Sequence, residues 1–166
     1  MLKAMVRRDV MLKWLWISAL IIIFDQISKQ VINHFMALYD VVAVLPCFNV
    51  IHVHNTGAAF SFLSQAGGWQ RWFFAGLAVV ISGVLAMWLA RLHRHETLLA
   101  VALSLILGGA IGNLIDRVIY GYVIDFIDFY YQDWHFAAFN VADAGISIGV
   151  GLLLLESFGI GRQSSN

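Results

Sequence analysis

Four apolar stretches, each long enough to cross a lipid bilayer as a helix, constrain this chain more than any other feature. They cover about residues 13–33, 69–92, 97–118 and 139–158. A helix needs roughly 20 apolar residues to cross the hydrocarbon core. With 61% hydrophobic and only 12% charged residues, the chain has too few charges to cover the surface of a water-soluble domain. We therefore expect a single integral membrane domain over residues 1–166, with a bundle of four transmembrane helices.

Basic residues predict the direction of the spans. Seven of the ten lie before the first span, between the second and third, or after the fourth: Lys3, Arg7, Arg8, Lys13, Arg91, Arg94 and Arg162. Because Lys and Arg favour the cytoplasmic side, we expect both termini there. The connecting segments 35–68 and 119–138 then face the outer side of the membrane. The net charge of zero gives no sign of a nucleic-acid partner.

Two local patterns refine this topology. Residues 49–54 alternate polar and apolar side chains within a segment rich in Val, Ile and Phe, which predicts a small sheet at the membrane surface. In the third and fourth spans, Gly108 with Gly112 and Gly145 with Gly149 have the GxxxG spacing. Small residues at this spacing allow helix backbones to approach closely in lipid.

Polar residues concentrate near the outer ends of the predicted spans. Five groups reach this level: Asp25 with Lys29, Asn55, Asn113 with Asp116 and Arg117, Asp125, and Asn140 with Asp143. Ionisable groups at membrane depth are costly and usually functional. The topology therefore predicts a functional site at the outer face of the membrane.

Asp125 and Asp143 are the most suggestive pair, because two carboxylates held close share a proton and can act together as acid and base on a water. The residues alone leave alternatives open. Asn140 or Asp143 can simply cap the fourth helix, and Asp125 can be a solvent-exposed loop residue. Asp128 and Asp133 are rival carboxylates in the same outer segment.

Other polar residues also have simpler explanations. Asp116 with Arg117 can be an interfacial ion pair, and Asp25 with Lys29 a structural pair that ties the first span to the outer loop. His52 and His54 have a spacing that suits a metal, but the sequence offers no evident third ligand. Cys47, the only cysteine, has no paired histidine next to it. At the level of function, a small proton or ion transporter using the same carboxylates and a non-catalytic assembly subunit are the alternatives to an enzyme.

Five short motifs follow one another along the chain. They are DQISK at 25–29, NTGAAF at 55–60, GNLIDR at 112–117, VIDF at 123–126 and FNVAD at 139–143. In this order the chain closely resembles the bacterial lipoprotein signal peptidases, also called signal peptidase II, over about residues 14–156. That family consists of aspartic endopeptidases of the inner membrane with four transmembrane helices and a small periplasmic β-cradle. They remove signal peptides from prolipoproteins by cutting on the N-terminal side of a diacylglyceryl-modified cysteine.

The resemblance implies a role for each motif. Asp125 and Asp143 match the catalytic pair, and the residues that match substrate- and inhibitor-binding positions are Asn55, Asn113, Arg117 and Asn140. Asp25 and Lys29 match a motif with a supporting, structural role. The implied partners are diacylglyceryl-modified prolipoproteins, membrane lipids and globomycin-type inhibitors. We expect a monomer that uses no metal and no cofactor, with its active site at the periplasmic face.

Overall fold

The computed structural model of this chain describes residues 11–57 and 67–159. Within these ranges the elements are α1 (Leu15–Phe35), β1 (Val41–Leu45), β2 (Phe48–Asn55), α2 (Trp69–Arg91), α3 (Thr97–Ile119), β3 (Val123–Tyr131), β4 (Trp134–His135) and α4 (Val141–Ser157). The bounds of all four helices lie within two residues of those predicted from the sequence. Of the basic residues behind the predicted orientation, Lys3, Arg7, Arg8 and Arg162 lie outside the described residues.

The helices have the character of membrane spans. In the described part of the chain, α1, α2 and α3 are long and apolar enough to cross a membrane. Apolar side chains of α2 such as Val79, Val80 and Met87 are more than half exposed, as expected for a helix that faces lipid. α4 has 17 residues, fewer than the roughly 20 that a span needs. The prediction of a helical membrane protein is confirmed, whereas the fourth span stays a prediction.

Helix α3 lies at the centre and contacts α1, α2 and α4. Glycines make its contact with α4 very close. A Cβ atom on Gly109 would collide with the backbone oxygen of Ala142, and one on Gly149 would lie 2.7 Å from the backbone oxygen of Ala102. Of the glycines with the predicted spacing, Gly149 makes this close contact between α3 and α4, whereas a Cβ atom on Gly108 would lie 2.9 Å from the backbone oxygen of Ser18 in α1. The contact between α3 and α4 also brings the start of α4 against the polar end of α3.

We expect Gly109→Ala to lower the stability of the protein by about 1–3 kcal/mol, because the new methyl group must push α4 away from α3. Thermal unfolding in detergent measures this effect. Gly76→Ala is the matched control, since Gly76 lies in a helix with nothing within 4 Å of an added Cβ. Equal melting temperatures for the two variants would contradict the proposed close contact.

A four-stranded antiparallel sheet in the order β1-β2-β3-β4 covers one end of the bundle. The small sheet predicted for the outer segments is therefore confirmed. Phe139 extends it, because its backbone N–H donates to Ile127 O at 3.1 Å and its carbonyl accepts from Ile127 N at 2.9 Å. This pairing places the segment that leads into α4 directly beside β3.

The two ends of the bundle differ in polarity. One end contains an apolar core formed by Met11, Leu85, Leu89, Leu92, Leu99, Ala100, Leu103 and Leu107. The other end, next to the sheet, contains fully or nearly fully buried polar side chains: Asp25, Lys29, Asn113, Asp116, Asp125 and Asn140. Because buried charges are costly unless they are paired, the polar end of the bundle is the candidate location of a functional site.

Candidate active site

The pairing of β2 with β3 brings Asn55 to Asp125. Asn55 lies opposite Val123, and Asp125 lies opposite Val53, so the two side chains are diagonal neighbours on one face of the sheet. Asn55 Nδ2 donates to Asp125 Oδ2 at 3.0 Å. Asp125 is 2% exposed. The alternative that Asp125 is a solvent-exposed loop residue is therefore wrong.

The start of α4 brings a second carboxylate to the same place. Asn140 caps the helix, and its Oδ1 accepts from Asp143 N at 2.9 Å. In return, Asp143 Oδ2 accepts from Asn140 N at 3.3 Å, which completes a capping box. Both residues therefore cap α4, as the alternative proposed, but their side chains also make other contacts. Asn140 Nδ2 also donates to Asp125 Oδ1 at 2.7 Å, so one buried amide touches both acidic residues.

Asn113, near the end of α3, binds the remaining oxygen of Asp143. Its Nδ2 donates to Asp143 Oδ1 at 2.7 Å, while its Oδ1 accepts from Lys29 Nζ at 3.0 Å. Three asparagine amides thus donate to the two carboxylates. Because an amide carries no charge, these donors hold the two carboxylates in place without neutralising either of them.

Asp125 and Asp143 both line one cavity of about 550 Å³. The polar lining also includes Asn55, Asn113, Arg117 and Ser147, and the apolar lining includes Val123, Phe136, Phe139, Ile146 and Ile148. A cavity with mostly apolar walls and a few convergent polar groups is typical of a binding or catalytic site. Two acids from distant parts of the chain therefore face a common space.

Arg117 is the cation at the edge of this cavity. Its Nη2 donates to Gly57 O at 3.0 Å and its Nη1 to Asn113 O at 3.3 Å, and the guanidinium lies 5.4 Å from the ring centre of Phe74. Asp116 has other partners, so the two do not form the simple ion pair considered above. Arg117 instead connects α3 to the segment after β2. Residues 58–60 of the NTGAAF motif lie outside the described residues.

Behind the cavity, Lys29 is at the centre of a buried ionic network. Its Nζ lies 2.7 Å from Asp25 Oδ2 and 2.9 Å from Asp116 Oδ2, and Lys29 and Asp25 have no exposed surface. Asp25 Oδ1 accepts from Ala142 N at 2.9 Å, and Asp116 Oδ2 accepts from Ile124 N at 3.2 Å. The pair therefore ties α1 to α3 and α4 directly. Through Asp116 it also reaches the outer segment at Ile124, in line with the structural role considered for this pair.

Burial, together with the negative charge of Asp143, raises the pKa of Asp125 to about 7. The hydrogen bonds from Asn55 and Asn140 act the opposite way, because they favour the ionised form. A carboxyl group with such a pKa holds a proton near neutral pH. It is therefore able to donate that proton during a reaction.

The rival residues lie elsewhere. Asp128 is buried, but it accepts from Asn49 Nδ2 at 2.9 Å and contacts His135 Nδ1 at 3.0 Å, and it does not line the cavity. His52 Nδ1 bonds to the backbone oxygen of Met36. In the described ranges, no group of three or more His, Cys, Asp or Glu side chains is arranged to hold a metal ion.

Two residues near the site were missed as contributors by the sequence reasoning. Gln26 Nε2 donates to Asp116 Oδ1 at 2.8 Å and to Gly112 O at 3.2 Å. Arg71 contacts the end of α3 from the start of α2. Both are polar residues inside apolar stretches, and this position alone indicates that each needs a polar partner.

The chain is similar to known proteins over nearly its whole length. A family model described as signal peptidase (SPase) II matches residues 17–159. A protein named lipoprotein signal peptidase from Alteromonas mediterranea is 52% identical over 158 residues, which cover 95% of this chain and 87% of that protein. A protein of the same name from Tolumonas auensis is 53% identical over 148 residues, with coverages of 89% and 90%. A solved structure described as a bacterial membrane enzyme superimposes with a TM-score of 0.82 at 31% identity, covering 93% of each chain.

Proposed function

This chain belongs to the signal peptidase II family, and we propose that it is an aspartic endopeptidase that removes signal peptides from prolipoproteins. The cleaved bond lies on the N-terminal side of a diacylglyceryl-modified cysteine. One observation supports this proposal above all others. Asp125 from β3 and Asp143 from α4 line one cavity, and the Asn140 side chain contacts both residues.

In the proposed mechanism, Asp125 and Asp143 share one proton and hold a water between them. The ionised carboxylate removes a proton from this water, which attacks the carbonyl carbon before the modified cysteine. The carboxyl group that holds the proton stabilises the developing oxyanion and then protonates the leaving amine. The raised pKa of Asp125 supports this acid role, since the group keeps its proton close to pH 7. The products are a free signal peptide and a lipidated N-terminal cysteine.

Asn55, Asn113 and Arg117 line the cavity and are proposed to contact the substrate backbone. Asn140 matches the same group of motif residues, but it is fully buried and does not line the cavity, so we propose that it supports the site by holding Asp125 and the start of α4. Inside an apolar cavity a peptide carbonyl has lost its water, and a guanidinium or amide donor replaces it. The apolar wall formed by Phe136, Phe139 and Ile146 suits the hydrophobic residues of a signal peptide and the acyl chains of the modified cysteine. Globomycin-type inhibitors would occupy the same space.

The proposed position in the membrane follows from the same chemistry. A diacylglyceryl group anchors its cysteine in the outer leaflet of the bacterial inner membrane, so the cleavable bond lies at the boundary between bilayer and periplasm. We place the sheet and the cavity at this periplasmic boundary, α4 as a fourth span, and both termini in the cytoplasm. The chain acts as a monomer with prolipoproteins and membrane lipids as its partners.

The decisive experiment is cleavage by the purified chain in detergent or lipid. A prolipoprotein that bears the diacylglyceryl group should be cut before the modified cysteine, and the same substrate without the lipid should be cut far more slowly. Mass spectrometry of both products identifies the bond. Absence of cleavage, together with pH-driven ion flux in proteoliposomes, would favour the transporter alternative instead.

We expect activity to fall as the pH rises through about 7. The pKa of Asp125 is raised, so the acid form predominates below that pH and disappears above it. Without the shared proton, no group protonates the leaving amine. The pH dependence of kcat/KM on the lipidated substrate measures this, and its apparent pKa values belong to the carboxyl pair. An activity that stays constant up to pH 9 would contradict the acid role of Asp125.

A further inference from the structure

Arg71, near the start of α2, contacts the end of α3 but takes no part in the proposed chemistry. Its Nε donates to Arg117 O and its Nη2 donates to Val118 O, both at 2.7 Å. These carbonyls belong to the last turn of α3, where a helix has no further N–H groups of its own to offer. Arg71 therefore satisfies two backbone acceptors at the end of a membrane helix.

The contact has a geometry that only arginine can provide. Nε and Nη2 form one edge of a planar guanidinium, so two parallel hydrogen bonds fix both the distance and the orientation of the group. The positive charge also lies at the negative end of the α3 dipole. The preceding carbonyl, Asp116 O, already accepts from Tyr120 N at 2.7 Å and Gly121 N at 3.2 Å. The carbonyl groups at the end of α3 thus accept hydrogen bonds from the following turn and from Arg71.

Gly121 makes room for this contact. Its φ of +89° is in the left-handed region that favours glycine. A Cβ atom there would also lie 3.3 Å from Arg71 Nη1. The turn after α3 therefore requires glycine both for its backbone conformation and for the guanidinium that lies against it.

The turn after α3 lies between two residues of the candidate site. The Arg117 side chain reaches the cavity from the last turn of α3, and β3 begins at Val123 and leads to Asp125. We propose that Arg71 is a positioning residue, which holds the end of α3 so that Arg117 keeps its place at the cavity. This inference rests on the proposed peptidase function.

The test begins with Arg71→Met, which removes both hydrogen bonds but keeps a long side chain. We expect kcat/KM for the lipidated prolipoprotein to fall roughly 10- to 100-fold, because small displacements of site groups have effects of this size. Arg71→Lys keeps the charge without the paired bonds and should recover only part of the loss. Arg91→Met, which removes an exposed arginine from the other end of the same helix, is the matched control and should leave activity unchanged.

A double-mutant cycle distinguishes positioning from a general loss of stability. If Arg71 acts through Arg117, then Arg71→Met in an Arg117→Met background should have a much smaller effect than it has alone. Effects that multiply independently in the cycle, or an Arg71→Met enzyme as active as the Arg91→Met control, would overturn the inference.

Failure of the inference is distinguishable from failure of the proposed function. The wild-type chain tests the function by itself, since an inactive wild type contradicts the peptidase proposal whatever Arg71 does. Hydrogen exchange supplies a readout that needs no activity. We expect the amides of Tyr120, Gly121 and Ile124 to exchange faster in Arg71→Met than in Arg91→Met, and equal exchange would contradict the proposal that Arg71 holds the end of α3.

Discussion

Asp125→Asn and Asp143→Asn should each lower cleavage of a lipidated prolipoprotein by about 10³-fold or more, the largest effect expected for any substitution in this chain. Asparagine has nearly the same shape as aspartate but neither donates nor accepts the catalytic proton. In the proposed mechanism both carboxyl groups act on one water, so the loss of either one stops the reaction. Initial rates of signal-peptide release from purified variants measure the effect.

Asp128→Asn is the matched control for these variants. Asp128 is also a buried aspartate of β3, but it binds Asn49 and His135 and does not line the cavity. We expect its activity to stay within a few-fold of wild type. Melting temperatures of all three variants show whether each one is folded. Near-normal turnover in a folded Asp125→Asn or Asp143→Asn enzyme would refute the mechanism based on paired carboxylates.

Lys29→Met should have the largest effect on stability. It removes the ammonium group that lies 2.7 Å from Asp25 and 2.9 Å from Asp116, and it leaves both carboxylates without their cation in a site closed to water. Removal of one partner from a buried ionic cluster costs about 3–5 kcal/mol. Since the network joins α1 to α3 and α4, we expect a clearly lower melting temperature and a lower yield of folded protein in detergent.

Two further variants make this result interpretable. Lys13→Met removes an exposed lysine that lies just before α1. Its ammonium contacts only the Trp14 ring, 5.5 Å from the ring centre, among the described contacts, so we expect a change in stability of at most about 1 kcal/mol. Lys29→Met combined with Asp116→Asn removes one of the two uncompensated charges and should recover part of the lost stability. If the double variant is no more stable than Lys29→Met, the ionic interpretation of the network is wrong.

Only part of the candidate site could be predicted from the sequence. Polar residues in apolar stretches, such as Asp25, Lys29 and Asn113, are conspicuous because a charge or an amide at membrane depth needs a partner. The outer segment was harder to interpret, since Asp125, Asp128 and Asp133 have the same chemistry within a few residues. The pattern of residues favoured Asp125 with Asp143 but left Asp128 and Asp133 open as rivals, and the resemblance to signal peptidases then favoured Asp125 over them.

The structure separates these acids by strand register. Pairing of β2 with β3 turns Asp125 toward Asn55 and the cavity, whereas Asp128 pairs across from Asn49 on another part of the sheet. The bridge between Phe139 and Ile127 then brings Asn140 to Asp125. Register depends on contacts between segments far apart in the chain, and a shift of one residue would turn every side chain of β3 to the opposite face.

The sequence by itself determined where the helices lie. A helix in lipid must satisfy its backbone hydrogen bonds within its own segment, so a local run of apolar residues is enough to predict one, as it did for α1, α2 and α3. The sequence also determined that polar groups gather at one end of the bundle. Only the tertiary structure decided which of them meet. The contact of Arg71 with Arg117 joins residues 46 positions apart, and Asp125 meets the cap of α4 only through the docking of the sheet onto the helices. Such contacts depend on the packing of whole elements, which no local pattern of residues specifies.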